Sequence, residues 1–206
     1  QPHPAFAKDE NNNYLYHNLD INALKNINIL SDFDKTGTRE LLASDYIYQI
    51  KRMAHPRIHS PISGLMEKYI LGLDKLSTQL KDNYRNKLER RFINLNDYKL
   101  LGVSLVDKYT FEIVLKEKYP QFLYWLSMSF FSPMPWEADL FYSQEDLAEK
   151  NISLDWYPLG TGPFMLTENN PNRRMVLERN PNFRDELYPV DGEQADLNNG
   201  LLNDAG

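Results

Sequence analysis

Pro158-Leu159-Gly160-Thr161-Gly162-Pro163-Phe164, continuing to Leu177-Glu178-Arg179-Asn180-Pro181, is the stretch from which the rest of the chain is best approached. The two glycines around Thr161 permit backbone angles closed to other residues, and Pro163 fixes φ as the chain leaves the turn. Phe164 to Thr167 form a short apolar run, and Asn169-Asn170-Pro171-Asn172 is turn chemistry. Arg173 to Arg179 then alternates, with Met175 and Leu177 on one face and Val176 on the other. Asn180-Pro181 closes the strand, because the residue before a proline is driven out of helical geometry. The residues alone therefore predict a glycine turn that feeds a β-hairpin.

Outward from that hairpin, the composition bounds the function. The 206 residues are 42% hydrophobic and 13% aromatic, enough for a sizeable core. A net charge of −6 argues against a nucleic-acid groove, which needs a basic footprint. With no cysteine there is no thiolate chemistry, disulfide or cysteine-bound zinc, and cytoplasm and periplasm fit equally well. No apolar run is long enough to span a bilayer, and no signal-like segment opens the chain.

Residues 1–37 are polar and asparagine-rich, read as loop with one short helix over Asp20–Lys25. Asp45 to Ala54 is predicted helical. Ile47, Ile50 and Ala54 form a stripe, Ser44 is the candidate N-cap, and Lys51-Arg52 suit the dipole of the last turn. Leu65–Leu76 and Thr78–Arg91 read as helices interrupted at Gly72, the second with a solvated face of Arg85, Lys87, Arg90 and Arg91 interleaved with Asp82 and Glu89. Val103–Val106 and Tyr109–Leu115 read as paired strands, with Tyr109, Phe111, Ile113 and Leu115 on the buried face. A short helix is expected over Gln121–Met128, followed by an irregular Phe130–Trp136 on account of its two prolines. Ser143-Gln144-Glu145-Asp146 resembles a capping box opening a helix to about Lys150. The tail from Phe183 is loop, with one short helix around Ala195–Leu202.

Catalytic patterns are scarce. His55 and His59 have helical metal spacing, but Pro56 breaks the helix that would align them, and no glutamate intervenes. Gly160-Thr161-Gly162 lacks the third glycine of a dinucleotide fingerprint, and Pro163 blocks the helix such a site requires. No Gly-x-Ser-x-Gly elbow is present, and Phe33–Arg39 reads as a solvated turn. No catalytic residue, metal site or cofactor is assigned. On the residues alone, two classes stay open: a hydrolase or transferase domain with an unrecognised site, and an interaction module using Tyr14/Tyr16 or the Phe130–Trp136 aromatics.

Three motifs, in order, resemble the extracellular solute-binding proteins of family 5, which serve oligopeptide and dipeptide ABC importers. They are the 158–181 stretch, the helix Glu40–Pro56 followed by Ser60-Pro61, and the strand Val106–Leu115. The resemblance implies an α/β fold: a fragment of a type II periplasmic-binding-protein-like architecture, mixed in helix and short strand, with a hairpin near 163–179. It implies that residues 1–141 supply part of an extra subdomain of the first lobe, and 142–206 part of its ligand-binding subdomain. Family members are longer, so both ends, Gln1-Pro2-His3-Pro4 and Asp204-Ala205-Gly206, are expected to be cuts in a longer polypeptide.

By the same resemblance the protein is not an enzyme and captures a peptide or similar small solute for an ABC permease. It would be periplasmic, or extracellular and membrane-anchored, and would meet the membrane only through that permease. Ser60, Pro61 and Ile62 are the candidate ligand-binding residues, and Gly160, Thr161, Gly162 and Pro163 the structural turn. The family commonly carries an aromatic after Ser-Pro, where this chain has Ile62. Either a peptide contact is lost there, or Ile62 packs against the next helix.

Overall fold

The computed structural model describes residues 1–20, 22–86, 92–184, 186–187 and 190–203. Seven α-helices lie among them: α1 (Ala43–Met53), α2 (Ser63–Tyr69), α3 (Leu73–Asn86), α4 (Phe122–Leu126), α5 (Trp136–Tyr142), α6 (Glu145–Glu149) and α7 (Gln194–Asn198). Two separate antiparallel pairs accompany them: β1 (Val103–Leu105) with β2 (Phe111–Ile113), and β3 (Phe164–Asn170) with β4 (Arg174–Arg179). The mixture of helices and small sheets agrees with a piece of a periplasmic-binding-protein-like fold.

α1 is the axis of the core. Tyr48, Ile50 and Met53 are buried, against a cluster that includes Met66, Ile70, Leu73, Leu76 and Leu80. The helix begins two residues before the sequence predicts, and Ser44 is not its cap. Leu42 holds that position, and the Asp45 carboxylate reaches back to accept the Leu42 N–H at 2.9 Å. Lys51 and Arg52 stand in the last turn, as expected. Lys51 is buried and donates to the Leu95 carbonyl at 3.1 Å, while Arg52 pairs with Asp139 at 2.8 Å.

The interruption at Gly72 is present, with φ at +80°. It lets the chain leave α2 and lie beside the strand pair: Leu71 N–H donates to Val114 O and Lys116 N–H to Tyr69 O. Gly102 permits this approach, since a Cβ there would fall 2.5 Å from the Leu71 carbonyl oxygen. α3 therefore starts at Leu73 rather than Thr78, and the predicted extension over 87–91 lies outside the described residues. Of the face expected to be buried, Phe111 and Ile113 on β2 and Leu115 just beyond it are half-buried against the core, but Tyr109 is 63% exposed because it sits in the connecting turn.

Three further expectations are corrected. Of the helix expected over Asp20–Lys25, residues 22–25 form turns, and residue 21 lies outside the described residues. Trp136 opens α5 where irregular chain is expected, because Pro135 stands just ahead of the first helical turn, where a missing N–H costs nothing. Ser143 does not cap α6: it is the C-cap of α5, its hydroxyl donates to Leu140 O at 2.7 Å, and Gln144 takes the N-cap position of α6.

Candidate functional site

Arg39 is where the body and the glycine corner meet. Its guanidinium makes a bidentate bond to Asp45 at 2.6 and 2.8 Å, and a second to Glu137 with both contacts at 2.8 Å. Both carboxylates are almost fully buried, and Tyr14 adds a hydroxyl donated to Glu137 at 3.1 Å. Burial alone would lower the Arg39 pKa. The hydrogen bonds and charges of Asp45 and Glu137 outweigh it, so the guanidinium is held charged more firmly than usual. Burial and the Glu137 charge push the Tyr14 hydroxyl up to about 12. Beside this cluster lies a cleft of about 290 Å³, lined by Phe6, Arg39, Asp45, Ser132, Gly160 and Thr161 among others.

Gly160 and Thr161 therefore face the cleft, but the glycine geometry differs from the expectation. Positive φ among the described glycines occurs at Gly72 and Gly200, not at Gly160 or Gly162. A Cβ on Gly162 would meet nothing within 4 Å, and one on Gly160 only the Gly162 nitrogen at 3.9 Å. Neither special angles nor crowding within this chain demands glycine there. The Gln1 side chain bonds Pro158 O and the Gly160 N–H at 3.3 Å each, and Asn180 fastens the other side of the corner. Its backbone N–H donates to Pro163 O at 2.7 Å, its Nδ2 to Gly162 O at 2.9 Å, and its Oδ1 accepts the Asn182 N–H at 3.1 Å. The sequence marks Asn180-Pro181 as a strand end but gives no sign that the side chain fastens the turn.

Ser60, Pro61 and Ile62 lie elsewhere. Ile62 is 7% exposed, packed into the core just before α2, and Ser60 lines a separate groove beside α3. The two sets of sequence-nominated residues do not share a cavity. His55 and His59 border that groove too, and no group of three or more metal-ligating side chains occurs among the described residues.

His3 is a further functional-looking group with no signal in the sequence. It is fully buried, its Nδ1 accepts the Ala5 N–H at 3.1 Å, and its Nε2 lies 2.7 Å from the Tyr142 hydroxyl. That hydroxyl donates onward to Tyr157 O at 2.7 Å, so Nε2 is the donor and the ring is neutral. Burial depresses its pKa to about 3. The ring serves as a fixed post between the N-terminal loop and α5.

Residues 36–199 match the bacterial extracellular solute-binding proteins, family 5, in its middle region. The chain belongs to this family. It is similar to the periplasmic oligopeptide-binding protein OppA of Salmonella typhimurium, 27% identical over 166 residues that cover 76% of this chain and 27% of the relative. The OppA protein of Escherichia coli matches to the same extent. The chain thus spans about a quarter of the length of these curated relatives. No helix among the described residues is long and apolar enough to cross a membrane.

Proposed function

We propose that this chain is part of the first lobe of the substrate-binding component of an ABC importer, which captures peptides or a similar small solute and hands it to a membrane permease. Family membership and the similarity to the oligopeptide-binding OppA proteins support the peptide class. The observation that carries the proposal is the β3–β4 hairpin. Phe164, Met175 and Leu177 stand on one face of it, each 60% exposed or more, while the corner at its base lines the cleft beside Arg39. A strand pair that leaves a finished core with its apolar face bare suits one wall of a two-lobed clamp.

In this proposal residues 1–141 belong to the extra subdomain and 142–206 to the ligand-binding subdomain, with the protein outside the cytoplasmic membrane. Gly160 and Thr161 line the solute's side of the corner, and Ser60, Pro61 and Ile62 lie at the margin of the lobe. Catalysis has no place in it. The test is calorimetric titration of a mixed tri- to pentapeptide pool into the longer polypeptide bearing both lobes and, separately, into this chain. Binding by the former and heats near dilution for the latter are expected. Failure of the two-lobed protein to bind any peptide, or micromolar binding by this chain alone, overturns it.

A further inference from the structure

We propose that the groove between the end of α1 and α3 binds a phosphate-class oxyanion. The proposal is independent of the solute-binding one. The groove encloses about 320 Å³, and its polar wall is made by His59, Ser60, Ser63, Ser77, Lys81 and Arg85. Three separate pieces of chain supply these groups: the loop after α1, the first residue of α2, and one stripe of α3. On α3, Ser77, Lys81 and Arg85 recur at i, i+4 and i+8 and so share a face. Asp82, on the same helix, lines another face with Lys75 and Gln79. Among the described residues no carboxylate lines the groove, although Glu67 accepts the Ser63 hydroxyl at 3.0 Å from outside it.

Ser77 points to a ligand. It is 2% exposed, and its hydroxyl has no hydrogen-bond partner. A serine in mid-helix ordinarily bonds the carbonyl one turn back or meets water, and a buried hydroxyl with neither destabilises the fold. The hydroxyl is closed off from the groove in its present rotamer; turned toward it, it would donate to an anionic oxygen flanked by Lys81 and Arg85, whose charge-assisted bonds on either side remove that penalty. At the rim, His59 holds a left-handed backbone at φ +48°, unusual for a residue other than glycine. A lone phosphate fills only part of the space. The rings of His55 and Tyr84, with centroids 6.4 Å apart, border the remainder and leave room for the organic part of a monoester.

The test uses the full chain, isotope-labelled, titrated with inorganic phosphate, with phenyl phosphate, and with sodium chloride at matched ionic strength. Saturable amide shifts confined to residues 59–63 and 77–85 are expected with both phosphates and not with chloride. Tighter binding of phenyl phosphate identifies an ester as the ligand class, and equal affinity identifies the free anion. The double variant K81Q/R85Q should weaken binding by about tenfold or more. Both side chains are exposed, so its thermal midpoint in chloride should not move. Ser77→Ala should weaken binding severalfold without lowering that midpoint. Shifts no greater than those in chloride, or undiminished affinity in K81Q/R85Q, would overturn the proposal.

Discussion

Phe141 and Phe164 carry the same ring into opposite surroundings. The first is fully buried in α5, in edge contact with Phe33 at 5.4 Å, and the second is 61% exposed at the start of β3. The contrast extends to the regions around them. Up to Tyr157 the chain closes an apolar core around α1, whereas beyond it Asn180 alone is buried among the described residues. The body is held by packing and by buried ion pairs. The hairpin is held by its own ladder, with one register shift between Leu166 and Glu168, by the Asn180 fastening, and by Asn169 Nδ2 donating to Trp156 O at 2.7 Å. One region is finished, and the other has its backbone paired while its apolar side chains are unspent.

The largest expected effect lies in the body. Arg39→Met strands two buried carboxylates and should cost about 3–5 kcal/mol in urea unfolding. Phe141→Ala should cost a similar amount, about 3–5 kcal/mol, while Phe164→Ala should stay within about 0.5 kcal/mol. If the two phenylalanines cost the same, the contrast fails. Next come the glycines. Gly102→Ala drives a Cβ onto Leu71 and should cost about 1–3 kcal/mol, whereas Gly162→Ala, which meets nothing, should be near neutral by the same unfolding measurement.

A pH-dependent effect comes from His3. His3 has a pKa near 3 when folded against an ordinary 6.5, so between those values the unfolded chain binds a proton that the folded chain does not. The stability it contributes is present above about pH 6.5 and declines as the pH falls below it. A His3→Gln variant should show a shallower loss between pH 7 and pH 5 in urea midpoints. An unchanged slope would mean that His3 is protonated without penalty.

Much of the secondary structure was legible in the sequence, for physical reasons that differ by element. The hairpin reads directly because turn residues and a two-residue period are local, and so does the helix break at Gly72. The Arg39–Asp45–Glu137 cluster does not: Glu137 meets Arg39 across 98 residues, and a lone charge beside two prolines has no periodic signature. α5 was hidden by those same prolines, which read as breakers although one precedes a first turn. His3 was hidden because burial, not residue type, makes it unusual. At the corner, motif and conformation part company. Gly160 and Gly162 lie within the wording that identifies the family, yet this chain's own backbone does not need them there.

Native-state hydrogen exchange tests the difference between the two regions most directly. Amides of the ladder, such as Leu166 and Leu177, should open at a free energy well below that of Ile50 in α1 and Leu80 in α3, which should exchange only with global unfolding. Asn180→Ala should lower hairpin protection by about 1–2 kcal/mol and leave α1 and α3 unchanged. Hairpin amides as strongly protected as those of α1, falling together with them in the variant, would mean that β3–β4 is part of one closed core, and the half-clamp account would be wrong.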